Sequence, residues 1–446
     1  MDMTKQFAFK TKALLLFLLI ILSRIPFLDN GFGVDQDACR VVIAVRQWLE
    51  TGHYETSRLP GYPVFEFLVS LVVRYGPVLV NLISTIASGI AAVLLYWLLR
   101  RIQIRNAFLI AMAFAFVPVI YISSVSTMDY LPALAFALAS LGFVIKDRPV
   151  LAGISLGLAV GCRITSGAFL FAECLYWLVN REDPQRWRKT AMMAVVCLSV
   201  AGSCFLSIFM GHGFGMLTYY WMGYPPWSEV LQTVTVEVWG RWGMICLTLG
   251  LIMLPFVKGK NAPCLDTQER RRMTIVSLTV LGLYTASFLK IPYEAGYLIP
   301  LIPFLFILAA MWLRPVVVRW VCVALLLAPF VHPGKHGVTL KGPVIIDHSL
   351  RRGLDAEAQA IAEQVSRLKG ESVIACVWRW PRLVCTVGGI HLGGATLMDT
   401  PDQKQIDAYR ARGVAIYYLP GVEDYMLKTF KVDLPGAGAK LLEMSR

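Results

Sequence analysis

Asp35 and Asp37 are the first residues in the chain whose types and spacing could do chemistry. The intervening residue is Gln36, and a Gly-Phe-Gly stretch lies just before them. Two carboxylates at this spacing can be brought together in a turn or can follow each other along an extended chain. In a shared site, one can take a proton from a hydroxyl group while the other orients it or holds a divalent cation such as Mg²⁺ or Mn²⁺. The alternative is a solvated acidic loop.

Several basic residues are candidate ligands for a phosphate. Arg58 lies in a segment rich in proline and glycine, 57–66, where a rigid turn can hold its planar guanidinium in place. Arg163 lies between two short apolar stretches, and a buried arginine in such a setting indicates a functional site or an ion pair with Asp129 or Glu66. The full set of predicted phosphate ligands is Arg58, Arg163, Arg241 and Lys290.

A further group of tyrosines and acids is expected to support these residues. Glu66 begins an apolar segment, where an unpaired charge is costly, so it either serves the site or pairs with a neighbouring arginine. Pro300 and Pro303 bend the helix that follows the late acidic residue Glu294. The predicted supporting residues are Tyr62, Glu66, Asp129, Tyr293, Glu294 and Tyr297.

The composition indicates that these residues belong to a membrane protein. Of the 446 residues, 57% are hydrophobic and only 16% are charged, with a mean hydropathy of +0.61. Soluble domains carry about 25% charged residues, so a soluble enzyme is excluded, as are disordered and coiled-coil proteins. The 42 basic residues exceed the 29 acidic ones, but much of the excess lies in short segments between apolar runs. Such a distribution is typical of membrane topology and does not favour nucleic-acid binding.

The apolar runs predict a polytopic helical protein with about eleven spans. If residues 150–179 form two spans, divided near Cys162–Ser166, and the N-terminus is cytoplasmic, every basic cluster lies on the cytoplasmic side. The positive-inside rule requires this arrangement. The C-terminus then lies outside. The predicted spans are 13–28, 77–99, 106–122, 129–145, 150–162, 166–179, 191–210, 243–257, 275–290, 297–313 and 316–331.

Two external loops and a tail follow from this topology. The loop 29–76 carries the acidic pair, a predicted amphipathic helix at Val41–Leu49 and a half-helix within Tyr62–Tyr75, and the second loop is 211–242. The candidate charges gather at the external edge of the spans. A transporter would instead keep polar groups near the midplane, on broken helices.

The sequence divides into a membrane domain, 1–331, and a small extracytoplasmic α/β domain, 332–446. Within the second, Asp355–Leu368 and Val422–Phe430 read as helices. Ser372–Trp378 and Val414–Leu419 are typical of strands, since they are rich in β-branched and aromatic residues. Two of its cysteines, at positions 376 and 385, either form a disulfide or remain buried thiols.

Taken in order, the motifs resemble those of the GT-C superfamily of polytopic glycosyltransferases, including the dolichyl-phosphate-mannose-protein mannosyltransferase and aminoarabinose-transferase types. The resemblance covers about residues 13–310. It depends on Asp35-Gln36-Asp37, Gly52-His53-Tyr54, Pro60-Gly61-Tyr62-Pro63, the stretch Gly157–Arg163, and Tyr293-Glu294 followed by Tyr297–Pro303.

This resemblance implies transfer of a sugar from a polyprenyl-phosphate carrier to a hydroxyl of a glycan, lipid or protein, with inversion, at the external face of the cytoplasmic (inner) membrane. By the same match Asp35 is the general base and Asp37 its partner. Many relatives carry an arginine where Ala295-Gly296 stand here, so Arg58, Arg163 or Lys290 would replace its phosphate contact. The alternatives are a lipid or lipid-linked-sugar transporter without catalysis, and an inactive scaffold in envelope assembly.

Overall fold

Helices account for most of the chain in the computed structural model, which describes residues 3–217, 223–256, 267–335, 337–436 and 438–442. The first fifteen helices belong to the membrane region. They are α1 (Met3–Arg24), α2 (Gln36–Thr51), α3 (Pro63–Ser70), α4 (Pro77–Arg101), α5 (Ala107–Ala115), α6 (Pro118–Ser124), α7 (Tyr130–Ile145), α8 (Pro149–Cys162), α9 (Ala168–Leu178), α10 (Arg186–His212), α11 (Trp227–Gln232), α12 (Val238–Met253), α13 (Thr267–Lys290), α14 (Ile302–Trp312) and α15 (Pro315–Leu325).

Each of the eleven predicted spans overlaps a helix or a pair of helices. In the described part of the chain, five helical stretches are long and apolar enough to cross a membrane, and α5 with α6, bent by 65°, makes a sixth candidate. The helices α7, α8, α9 and α15 are apolar but shorter. The chain is therefore a polytopic helical membrane protein, and the count of eleven crossings remains a prediction. Residue 257 and residues 218–222 of the predicted segments lie outside the described residues.

The tightest helix contact is set by small residues on α8. Gly153, Gly157 and Gly161 recur every fourth residue and face α10, so that a Cβ at Gly157 would collide with Val200. Glycines at this spacing let two helix backbones approach closely inside a membrane. The contact fixes the end of α8, where Arg163 follows.

The break between α5 and α6 is stabilised by a buried arginine from α1. Val117 is extended because it precedes Pro118, which disfavours the helical conformation for the residue before it. Arg24 donates through Nη2 to the carbonyl of Ala115 and through Nε to Ser124 Oγ at 3.1 Å. The cation thereby satisfies carbonyl oxygens that the helix end leaves free.

The tail forms a small α/β domain with a hydrophobic core of its own. After a hairpin of β1 (His332–Gly334) and β2 (Gly337–Thr339), a five-stranded sheet has the order β4-β5-β3-β6-β7, parallel except for the β4–β5 pair. Its elements are α16 (Pro343–Ser366), β3 (Ser372–Ala375), α17 (Trp380–Val387), β4 (His391–Leu392), β5 (Ala395–Met398), α18 (Gln403–Ala411), β6 (Ala415–Tyr418), α19 (Val422–Tyr425) and β7 (Lys440–Leu441).

The prediction of an α/β tail is confirmed, with two differences in detail. The predicted helix 355–368 is the second half of the longer α16, and the stretch 422–430 is the short α19 followed by a π-helical turn at Met426–Phe430. Residues 336, 437 and 443–446 of this domain lie outside the described part.

Candidate functional site

The acidic pair forms the start of helix α2. Asp35 is the N-cap residue, with extended backbone, and its Oδ1 accepts the backbone N–H of Asp37 at 2.9 Å. A carboxylate is favoured in both positions, because the first turn of a helix leaves its N–H groups unpaired and carries partial positive charge. Asp35 and Asp37 therefore both lie at the start of a helix, in a turn and not in an extended segment.

A third carboxylate, from a distant part of the chain, joins this pair. One oxygen of each of Asp35, Asp37 and Glu294 lies within 4.8 Å of the others. Each residue also has one oxygen already engaged: Asp37 Oδ2 contacts Arg58 Nε at 2.9 Å, and Glu294 Oε2 accepts the Tyr130 hydroxyl at 2.5 Å. The second oxygen of each has no hydrogen-bond partner among the described residues. This trio can receive a proton or bind a divalent cation.

The environment makes two of these carboxylates stronger bases than exposed acids. Burial raises the pKa of Asp35, and the negative charge of Asp37 raises it further. Burial likewise raises the pKa of Glu294, with a further contribution from Asp35. Desolvation and like charge both disfavour the ionised form, so each group holds a proton to a higher pH than usual.

Two arginines lie behind the trio and share one aspartate. Asp129 is 1% exposed and accepts from Arg163 Nη1 at 2.6 Å and from Arg58 Nη2 at 3.4 Å. The expected ion pair of Arg163 is therefore made with Asp129 and not with Glu66. Arg58 also bonds Asp37, which links the arginines to the trio. Its Nη1 atom is buried and has no partner in the described structure.

Aromatic rings hold both guanidinium planes. The Arg58 guanidinium lies 4.1 Å from the ring centre of Tyr62, and that of Arg163 lies 4.1 Å from Tyr130 and 5.1 Å from Tyr297. A Cβ at Gly296 would collide with the Tyr130 ring. An arginine therefore has no room there, and the guanidinium of Arg163 fills the space between the two tyrosines.

The net charge of the site is negative when every group is ionised. Four carboxylates, including Asp129, stand against two guanidiniums, which leaves two negative charges. This balance matches one divalent cation, and the hard oxygen ligands of the trio suit Mg²⁺ or Mn²⁺.

Glu66 organises the loop that carries Arg58. It is fully buried, and its carboxylate accepts the Tyr54 hydroxyl, the Ser57 N–H at 2.8 Å and the Thr56 hydroxyl at 3.4 Å. The alternative in which Glu66 pairs with a neighbouring arginine is therefore wrong. Because it binds the residue just before Arg58, Glu66 is a positioning residue.

The site opens into a cavity of about 330 Å³. Its polar lining includes Asp35, Ser123, Ser126, Glu237, Glu294 and Asp347. A larger cavity of about 460 Å³ lies between α12, α14 and α15 and carries no charged side chain. Its lining includes Val234, Thr235 and Trp239, on either side of Glu237 in the chain, so one segment contributes side chains to both cavities.

Arg241 and Lys290 lie apart from this cluster. Arg241 is exposed and its Nη1 lies 3.4 Å from His332 Nε2, while Lys290 is exposed at the end of α13. Neither has an ion pair with the acids of the site among the described residues. Tyr293 lines the cavity and donates its hydroxyl proton to the carbonyl of Gly223.

The C-terminal domain contributes a residue that the sequence did not indicate. Arg382, on α17, donates through Nη2 to the carbonyls of Gly33 and Val34, the latter at 3.1 Å, and through Nη1 to Asp355 Oδ1 at 2.6 Å. These carbonyls precede Asp35, so the domain holds the backbone that positions the acidic pair. Nothing in the local sequence distinguishes Arg382 from the other arginines of the tail.

Comparison with known proteins bears on the fold. No family model and no curated protein sequence matches the chain. ArnT from Cupriavidus metallidurans bound to undecaprenyl phosphate has a TM-score of 0.59 and 14% identity, over 99% of this chain and 90% of that one. The structure of ArnT in its apo state has a TM-score of 0.59 and 14% sequence identity, over 96% of this chain and 91% of that one. The oligosaccharyltransferase of Archaeoglobus fulgidus has a TM-score of only 0.44 and 14% sequence identity, over 89% of this chain and 64% of that one. The likeness to ArnT confirms the predicted fold: the chain shares the fold of that protein, a polytopic helical bundle with a small C-terminal α/β domain.

Proposed function

We propose that the protein is a membrane glycosyltransferase that moves a sugar from a polyprenyl-phosphate carrier to an acceptor hydroxyl on the external face. The observation that carries this proposal is a cluster of carboxylates, two of them with raised pKa values, beside two arginines that stack on tyrosine rings. Asp35 and Glu294 line a polar cavity, and the segment that carries Glu237 also lines an apolar one. ArnT, which has the same fold, is described bound to undecaprenyl phosphate. A lipid phosphate in the polar cavity and its isoprenoid tail in the apolar one would use both spaces.

Asp35 is the proposed general base. Asp35 lines the cavity, and its raised pKa suits it to accept the proton of an attacking hydroxyl. The acceptor oxygen bonds to the anomeric carbon, the bond from that carbon to the phosphate oxygen breaks, and its electrons leave with polyprenyl phosphate. Attack from the face opposite the leaving group gives inversion.

The arginines are proposed to receive the phosphate. Phosphate is a good leaving group and needs no strong acid, but the charge that develops on it requires fixed cations. Arg58 offers its unpartnered Nη1, and Arg163 supports it across Asp129. Asp37 and Asp129 hold the Arg58 fork in a fixed orientation, so little reorganisation is needed when the phosphate binds.

A divalent cation, Mg²⁺ or Mn²⁺, fits the free oxygens of Asp35, Asp37 and Glu294. When bound, it would neutralise the two excess negative charges of the site, so that the donor phosphate would meet no net negative charge there. Tyr130 and Arg58 each hold one oxygen of Glu294 and Asp37, and one oxygen of each carboxylate in the trio lies within 4.8 Å of the others.

The test is complementation of a deletion strain, with mass spectrometry of its envelope lipids and glycans. Deletion should cause a polyprenyl-phosphate sugar to accumulate and one glycosylated product to disappear. Asp35→Asn should reproduce the deletion while remaining in the membrane at normal abundance, whereas Glu50→Gln, an exposed change on the same helix, should restore the wild-type profile.

The same experiment separates the enzyme from the transporter alternative. A carrier without catalysis should keep most of its flux in the Asp35→Asn strain, because the change is isosteric and removes only a proton acceptor. Full restoration of the product by Asp35→Asn would therefore overturn the catalytic proposal.

A further inference from the structure

Two cysteines from distant parts of the chain meet where the C-terminal domain docks on the first loop. Cys39 lies in the first turns of α2, directly after the acidic pair, and Cys385 lies in α17. Both are buried, with 2% and 5% of their surface exposed, and both belong to the same hydrophobic cluster. Both are free thiols in the structure, and each is close enough to the other to shift its pKa.

The contacts on either side of the pair fix its register. Arg382, one helical turn before Cys385, bonds the carbonyls just before α2. Arg46, two turns after Cys39 on the same face of α2, donates to the carbonyl of Cys385 at 3.0 Å. Helix α17 is thereby anchored to the first loop on both sides of Cys39 in the chain.

Cys376 takes no part in this contact. Its thiol donates to the carbonyl of Ile374 at 3.3 Å, within its own domain. Of the two alternatives for residues 376 and 385, the structure has thiols and not a mutual disulfide.

We propose that Cys39 and Cys385 form a disulfide that fastens the C-terminal domain to the loop carrying the candidate site. The inference rests on the contact between α2 and α17 and on the predicted external placement of the first loop, where disulfides form and persist, and not on the proposed chemistry. Because it joins α17 to α2, the bond would hold Arg382 on the backbone that precedes Asp35.

The bond forms by thiol–disulfide exchange with a protein disulfide oxidant of the extracytoplasmic space. The thiolate of one cysteine attacks a sulfur of the oxidant's disulfide and releases the other sulfur as a thiol. The second cysteine then attacks the mixed disulfide. The two cysteines lose two electrons and two protons, and the oxidant leaves as a dithiol. Since both sulfurs are buried once the domain has docked, the exchange takes place as the chain folds.

The sequence permits a direct test by peptide mapping. Full-length protein is isolated from membranes without reductant, after acid quenching and alkylation with N-ethylmaleimide, and digested with trypsin. The cleavage sites place Cys39 alone in peptide 25–40, Cys385 alone in 383–404 and Cys376 alone in 370–379. We expect peptides 25–40 and 383–404 to appear mainly as one linked ion, which disappears after dithiothreitol treatment. Peptide 370–379 should carry N-ethylmaleimide.

Two variants complete the test. In Cys39→Ser, peptide 383–404 should become alkylated, whereas in Cys376→Ser the linked ion should persist. Alkylation of both 25–40 and 383–404 in the unreduced wild-type protein would overturn the proposal, and so would a link between 383–404 and 370–379. Neither result depends on glycosyltransferase activity, so a failure here is distinct from a failure of the proposed function.

Discussion

Replacing Arg58 by lysine separates charge from geometry at the proposed phosphate site. The guanidinium makes two fixed contacts, through Nε to Asp37 at 2.9 Å and through Nη2 to Asp129 at 3.4 Å, and it keeps Nη1 for a ligand. A lysine ammonium retains the charge but has no planar fork, so it cannot hold both aspartates and still aim a donor at a phosphate.

The size of the effect follows from the single hydrogen bond that Nη1 would donate to the phosphate. A hydrogen bond to a charged group contributes about 1.5–3 kcal/mol, which corresponds to roughly a 10- to 150-fold change in affinity. We therefore expect Arg58→Lys to weaken the binding of undecaprenyl phosphate by a factor in this range. The control is Arg40→Lys on the same helix as Asp37, where the 3.2 Å pair with Asp399 is about one-third exposed and contributes little, so affinity should stay within about twofold.

The assay is equilibrium binding of radiolabelled undecaprenyl phosphate to the full-length protein in nanodiscs. Both variants are first compared with the wild type by size-exclusion elution and thermal stability, so that a misfolded sample is recognised. If Arg58→Lys binds the lipid as tightly as the wild type, Arg58 does not contact the phosphate, and the reasoning from its unpartnered nitrogen is refuted.

Three further outcomes test other parts of the site. Titration with Mn²⁺, followed by electron paramagnetic resonance, should show that the wild-type protein binds the cation. Glu294→Gln should weaken this binding by about tenfold or more, because it removes one of three ligands. Absence of binding to the wild type would refute the cation site. Arg382→Ala should lower product formation in the complemented strain at unchanged membrane abundance, while Arg379→Ala, at a more exposed ion pair, should not. Transfer should be lost as the pH falls through the raised pKa of Asp35. Asp37→Asn should move this loss to lower pH, because it removes a neighbouring negative charge that raises the Asp35 pKa. If the loss of activity at low pH does not move in this variant, the assignment of Asp35 as the base is contradicted.

The sequence predicted where helices end better than it predicted which side chains come together. The charge pattern required a break near Cys162–Ser166, and the chain does leave helix α8 at Arg163, whose backbone is extended. It also placed Arg241 and Lys290 at the external edge with Arg58 and Arg163. However, topology assigns a residue only to a level, and the helices that carry Arg241 and Lys290 place them away from the acidic cluster.

Contacts between distant segments account for what the sequence did not reveal. Glu294 was expected only to support the site, yet the turn after α13 brings its carboxylate next to Asp35 and Asp37. Arg382 belongs to another domain and acts through backbone carbonyls, which carry no side-chain signal in the sequence. Both depend on packing between elements more than two hundred residues apart, and neither periodicity nor composition reports such packing.

The short helices explain why a charged site can lie at a membrane surface with little water. Helices α7, α8 and α9 have 16, 14 and 11 residues, which gives lengths of only about 17–24 Å at 1.5 Å per residue. A hydrocarbon core is about 30 Å thick. If the basic turn between α7 and α8 marks the cytoplasmic boundary, their other ends stop several ångströms below the external one. Asp129 and Arg163 occupy those ends, as the residues that flank α7 and α8. With that boundary, the ion pair would lie below the level of the lipid phosphates, where low water content would strengthen its interaction with a phosphate and slow hydrolysis of the proposed donor.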